Sequence, residues 1–233
     1  MSNHFHSSLF TYSMQISPYL AGEVINPLTY SIRNDAQCAE AIHTLYERIA
    51  LNHPEGGAAY WMTRTWESLI WQPIYISFMS VYAFQTLPDI KSMAQQIQGS
   101  FVAGYQFPDT THQHGSVQEL VSKACAQLRE LFDHYLQAMN QNIRIRPGYA
   151  SHLTADLVMN SIAKMQAMQP EFSHSNLLDE AQLWTKALTL PKKHIEGFTA
   201  QPDGSGTKYT RTSCCLFYRC ESGSLCVDCP RQN

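Results

Sequence analysis

The chain has 233 residues, enough for one large domain or two small ones. Hydrophobic residues make up 44%, an ordinary share for a protein with a core, while charged residues reach only 15% and the net charge is −3. That balance excludes the broad basic field that drives non-specific nucleic-acid binding, and no nucleic-acid partner is expected.

The opening residues, MSNHFHSSLF, lack the basic stretch and apolar run of a secretory leader. A cytoplasmic location is expected, where cysteines remain thiols or bind metal. Residues 1–33 are weakly patterned: Tyr12, Ile16 and Leu20 suit one short helix that Pro18 and Pro27 interrupt. Asp35 is placed to cap a helix reaching about Leu51, with Ile42, Leu45, Tyr46 and Ile49 on one face. The cluster His53-Pro54-Glu55-Gly56-Gly57 ends it.

An aromatic segment follows from Ala58 to Phe84, read as helix with a kink or break just before Pro73. Its tryptophans, Trp61, Trp66 and Trp71, suit core packing, or a pocket for a bulky ligand. The most apolar part, Leu69 to Phe84, is shorter than the roughly 20 residues that span a bilayer. It reads as a buried core helix, with peripheral association with the inner membrane as its other use.

Pro88 to Gln98 reads as a short helix closed by Gly99, and Phe101 to Phe107 as one strand or two, bent at Gly104. His112 and His114 fall in a loop with no third metal ligand nearby. The clearest helix runs from Val117 to Met139 behind the capping box Ser116/Glu119. Asn142 to Pro147 alternates as an extended link in which Arg144 and Arg146 point the same way, either a solvated edge or an anion clamp. Further helices are expected from about His152 to Ala167, stopped before Pro170, and from about Leu177 to Leu188 behind Ser175 or Asn176.

After Pro191 the character changes. Residues 195–199 look extended, Pro202 to Gly206 is a turn, and Thr207 to Thr212 is rich in strand formers, so a hairpin is expected. The fold class is thus mainly α (α+β): a helical body over residues 1–190, and over 191–233 a small C-terminal hairpin-and-loop lobe. Gly204 to Lys208 lacks phosphate-loop spacing, and no dinucleotide, zinc-protease or nucleophile-elbow motif occurs.

The lobe carries five of the seven cysteines. Four form the pattern Cys214-Cys215, ten residues, Cys226, two residues, Cys229; Cys220 lies inside the spacer and either packs or stands in as a ligand. Cys38 and Cys125 are isolated, so the set is not a dispersed disulfide framework. Four thiolates suit zinc, a [2Fe–2S] cluster or a [4Fe–4S] cluster. Structural zinc takes paired C-x2-4-C knuckles. Adjacent cysteines on extended backbone diverge to opposite faces, which hinders convergence on one small ion and favours an iron–sulfur cluster over zinc.

The arrangement resembles the FhuF-type ferric-siderophore reductases, whose hallmark is a C-terminal C-C-x10-C-x2-C. The flanks are similar too: Arg211-Thr212-Ser213 before the pair, Leu216-Phe217-Tyr218 after it, Gly223 before Cys226, and Pro230 after the last cysteine. The resemblance covers about twenty residues and implies a [2Fe–2S] cluster on Cys214, Cys215, Cys226 and Cys229. It also implies one-electron reduction of a cytoplasmic ferric siderophore, releasing Fe(II). With no nicotinamide or flavin signature in the chain, electrons would come from outside: a ferredoxin-type protein, a flavin reductase or a small reductant. Arg144, Arg146, Lys208 and Arg211, with Lys192 and Lys193, are the candidate cations for an anionic complex. Two other classes share the cysteine pattern, a zinc-stabilised binding module and an iron–sulfur sensor or carrier without a siderophore site.

Overall fold

The computed structural model describes residues 3–26, 31–168, 173–202 and 206–232, with only the backbone of Asn3 and of residues 166–168. The fold is mainly α within an α+β class, as composition and periodicity lead one to expect. Six helices form the body: α1 (Asn3–Ile16), α2 (Cys38–Asn52), α3 (Gly57–Phe84), α4 (Val117–Met139), α5 (Pro147–Met168) and α6 (His174–Leu188). The expected breakers Pro27 and Pro170, and residues 203–205 of the hairpin turn, lie outside the described residues.

Helix α3 is the axis of the body, packed by α1, α2, α4 and α5. Its apolar run, including Leu69, Ile70, Ile74, Ile76 and Val81, is buried, so this segment is core. No helix among the described residues is long and apolar enough to cross a membrane. The helix does not break at Pro73 but runs through it. A proline inside a helix leaves the carbonyl four residues earlier without its N–H partner. That carbonyl belongs to Leu69, and the Gln95 side-chain amide donates to it at 2.9 Å while also reaching the Tyr135 hydroxyl at 3.1 Å. A side chain from a neighbouring strand therefore replaces the missing backbone bond.

That strand corrects the sequence reading. Pro88 to Gln98 is not a helix: β3 (Thr86–Pro88) is followed by a 3-10 turn and by β4 (Ala94–Gln98), which pairs antiparallel with β5 (Phe101–Phe107). Gly99, in the left-handed region at φ +58°, makes the tight turn between them. With β1 (Gly22–Val24) and β2 (Ser31–Ile32) they form a sheet in the order β1-β5-β4-β2, in which β1 runs parallel to β5. Residues 112–114 are not loop either, but β6 (His112–His114), paired with β3. The His114 ring bonds the Thr86 hydroxyl through Nδ1, and the His112 ring bonds the Thr110 carbonyl through Nδ1.

Other boundaries move by a few residues. Helix α1 is longer than its pattern promised, and α2 begins at Cys38, with Asp35 bonding the Gln37 N–H just before it. Helix α4 starts on the expected Ser116/Glu119 capping box. Helix α5 starts at Pro147, where the missing N–H costs nothing, and α6 is capped by Ser173 rather than by Ser175 or Asn176. The C-terminal hairpin is present as β7 (Phe198–Ala200) and β8 (Thr207–Tyr209), but residues 192–197 form 3-10 turns rather than extended chain.

Replacing Gln95 by Leu should strand the Leu69 carbonyl in the core. We expect a loss of about 1–3 kcal/mol, read as a lower midpoint in denaturant unfolding with an unchanged slope.

Candidate metal centre

The cysteine segment is seated on α5 by one carboxylate. Asp156, buried, is the sole acidic residue of that helix. Its Oδ1 accepts the Tyr209 hydroxyl at 2.7 Å, the Thr212 N–H at 2.8 Å and His194 Nδ1–H at 2.9 Å. Its Oδ2 accepts the Ser213 N–H at 2.7 Å. Burial opposes the charge on Asp156, but these bonds outweigh it and hold the carboxyl below its ordinary titration range. The two backbone N–H groups just before Cys214 are thus fixed to the helical body. A second tether closes the motif on itself: the Arg211 N–H donates to the Asp228 carbonyl at 2.9 Å, joining the start of the segment to its end.

Within this frame Cys215 Sγ and Cys226 Sγ lie 3.1 Å apart, close enough to share a metal whose bonds to sulfur are about 2.3 Å. Cys229 is buried, and its N–H donates to the Cys226 carbonyl at 3.0 Å, which folds the C-x2-C end into a turn. All seven cysteines are free thiols. Leu216 adopts φ +62°, uncommon for a bulky side chain, and in this conformation its N–H reaches Cys214 Sγ at 3.4 Å. Backbone donors aimed at sulfur are what a thiolate-ligated cluster uses to tune its potential. Burial first, and the neighbouring Cys226 and Glu67 next, push the Cys215 thiol up to about 12, so paired thiolates here need a cation to hold them.

Gly223 completes the spacer. Its N–H bonds the Cys220 carbonyl at 2.8 Å, and a Cβ there would fall 1.9 Å from the Phe217 carbonyl oxygen. Cys220 is buried beside His53 and Glu55, one ligand atom of each lying within 4.8 Å of the others.

Two cavities meet at this seat. The first, about 260 Å³, is lined by Cys215, Cys226, Phe217, Tyr60 and His53. The second, about 440 Å³, is lined by the rings of Tyr19, Trp71, Tyr75 and Phe101 and reaches Asp156. Arg64, Glu67 and Arg211 line both and form the wall between them. Glu67 bonds Arg211 at 2.5 Å and lies 4.0 Å from Arg64. Burial works against the Arg211 charge, but Glu67 restores it and holds the guanidinium protonated. The Arg64 side chain is 48% exposed, whereas that of Arg211 is 14% exposed, so Arg64 presents the free positive head.

Of the cations expected from sequence, only Arg211 lines these cavities. Arg144 and Arg146 are exposed on the same side of their link, around buried Ile143 and Ile145, and line neither cavity. Lys208 is exposed on β8, and Lys192 and Lys193 are exposed before it. Arg64, Asp156 and His194 were not singled out from sequence. Arg64 and Glu67 are the two charges in an otherwise uncharged helix, a signal that was there to read.

Of the four motif cysteines, Cys215 and Cys226 are brought into contact, and a thiol-only donor set of this kind suits zinc or an iron–sulfur cluster. Residues 211–231 match the family model described as FhuF 2Fe-2S C-terminal domain. The matched span contains the Cys214-Cys215 pair, Cys226 and Cys229, and the cofactor of such a domain is a [2Fe–2S] cluster.

Asp156→Asn should cost about 1–3 kcal/mol by setting an amide NH2 against the Ser213 N–H, and should lower iron bound per chain. Because the folded carboxyl titrates below its unfolded value near 3.9, its stabilisation is present above that pH and lost as pH falls through the folded value. The acid-dependent part of the stability difference between wild type and variant should therefore vanish at low pH, as measured by unfolding at several pH values. Gly223→Ala should reduce iron content while leaving far-ultraviolet circular dichroism unchanged.

Proposed function

We infer that the protein is a ferric-siderophore reductase acting in the cytoplasm, with Cys214, Cys215, Cys226 and Cys229 holding a [2Fe–2S] cluster. The observation that supports this most is the shared wall: Arg211 and Glu67 line both the cysteine cavity and the aromatic cleft. A cleft of about 440 Å³ lies in the range of small-molecule sites, and its rings offer flat apolar faces to a large chelate. Two arginines share one glutamate in that wall, which leaves one positive charge for an anionic complex.

A bound [2Fe–2S] cluster supplies one electron at low potential. The chain's residues do the rest. Trp71, Tyr75 and Phe101 hold the chelate in the cleft, and Arg64 orients its anionic edge. Glu67 keeps Arg211 protonated, so the wall stays cationic as the electron crosses. The electron, delivered by an external donor such as a ferredoxin-type protein, a flavin reductase or a small reductant, converts chelated Fe(III) to Fe(II). Hard oxygen donors hold Fe(II) far less tightly, so the metal leaves. Each tenfold preference of the chelator for Fe(III) lowers the potential of the complex by about 59 mV, which is why a low-potential donor is needed. No nucleophile or general acid takes part.

The test is rapid mixing of photoreduced protein with several ferric siderophores under anaerobic conditions. Oxidation of the cluster by at least one chelate, with capture of Fe(II), is expected. Colourless protein carrying zinc, or a cluster that no ferric chelate oxidises, would overturn the reading. Arg64→Ala and Trp71→Ala should each raise the half-saturating chelate concentration about tenfold, equivalent to ~1.4 kcal/mol, at unchanged iron content.

A further inference from the structure

Beside the four-cysteine seat lies a second group of ligand atoms of three different kinds. One ligand atom each from His53, Glu55 and Cys220 all lie within 4.8 Å of one another. They come from separate parts of the chain: His53 caps the 3-10 turn Pro54–Gly56 and Glu55 lies within it, while Cys220 ends the 3-10 turn Phe217–Arg219. We propose that His53, Glu55 and Cys220 form a mononuclear site for a divalent transition-metal ion, which takes the Fe(II) released in the aromatic cleft on the far side of the Arg64–Glu67–Arg211 wall.

His53 and Glu55 already have outer partners that fix them, as metal sites require. The Glu221 N–H donates to Glu55 Oε1 at 3.0 Å. The His53 ring packs edge-on against the Tyr60 ring at 5.6 Å. His53 Nδ1 turns toward Glu55 Oε1 at 3.7 Å, while Nε2 sits 2.9 Å from the Asn52 amide, whose oxygen can accept the Nε2–H after a flip. One thiolate, one imidazole and one carboxylate select Zn²⁺, Fe²⁺ or Co²⁺ over Ca²⁺ or Mg²⁺. Binding replaces the Cys220 thiol proton, which passes to water.

The site is open on one side. Cys220 is buried, but the His53 and Glu55 side chains are 21% and 27% exposed. Three protein ligands with an open fourth position describe an exchangeable site rather than a closed structural one. His53 also lines the cavity that holds Cys215 and Cys226, which shares the Arg64, Glu67 and Arg211 wall with the aromatic cleft. The role in accepting Fe(II) rests on the reductase reading; the binding of a divalent ion does not.

The experiment titrates Co²⁺ into anaerobic, cluster-loaded full-length protein, whose four cluster cysteines are already occupied. We expect one cobalt per chain beyond the cluster iron, with cobalt-edge X-ray absorption showing one sulfur among nitrogen and oxygen ligands. His53→Ala and Cys220→Ser should each weaken binding roughly tenfold or more while the cluster absorption is retained. Glu55→Ala, on the body side, serves the same purpose should Cys220→Ser lose its cluster. No cobalt bound by wild type, or undiminished binding in the variants, overturns the site. Failure of the cluster to reduce any ferric chelate, with cobalt binding intact, overturns the reductase reading and the Fe(II) role but leaves the site.

Discussion

The seating of the cysteine segment depends on one buried carboxylate. Asp156 projects from α5 and satisfies two consecutive backbone N–H groups, a tyrosine hydroxyl and an imidazole. An ionised carboxylate in a protein interior is costly unless its lone pairs are filled. Here the donors come from the segment that must be held, so the requirement of the charge and the anchoring of the cysteine segment are the same set of bonds. The result is a rigid takeoff for Cys214 and Cys215 without any regular secondary structure around them. The histidine continues the network outward: His194 Nε2 lies 2.8 Å from His152 Nδ1, and burial, with Lys193 and His194 nearby, lowers the tendency of His152 to protonate.

A second carboxylate, Glu67 on α3, performs a different task. It neutralises Arg211 where the chain leaves β8 and leaves Arg64 as the exposed cation at the cleft. Arg64 rides on α3, and Arg211, on the segment after β8, is tied to that helix through Glu67. The helix is fixed in the core on nearly every side, the arrangement that keeps a binding site from drifting. The aromatic content of α3 is divided accordingly, with Trp66 buried in the core and Trp71 facing the cleft.

How much of this was legible in the sequence follows from how local each signal is. Helix α4 was read almost to the residue because its capping box and its apolar stripe are both local. The cysteine pattern was legible because metal chemistry restricts residue type and spacing together. Residues 94–98 were misread because Ala-Gln-Gln-Ile-Gln has no strong strand character of its own, and pairing with β5 decides its state. The continuity of α3 through Pro73 depends on a glutamine 26 residues away in sequence, which no local rule contains. Arg144 and Arg146 were correctly placed on one side of an alternating link, but that side faces solvent. Asp156 was passed over because a single acid in an apolar helix reads as surface until its partners, 38 to 57 residues away, are known.

The separations themselves carry a kinetic meaning. Cys215 and Cys226 are 11 residues apart, whereas Asp156 and Thr212 are 56 apart. Closing the longer loop costs about 1–2 kcal/mol more in chain entropy, and it requires α5 to exist first. Capture of metal by the thiols is therefore a short-range event, and seating on Asp156 is a long-range one that the helical body must precede. Reversal follows the same order. Removing the metal unties the short loop while the ledge on α5 persists, so the cysteine segment can open for cluster insertion or repair without unravelling the helices beneath it.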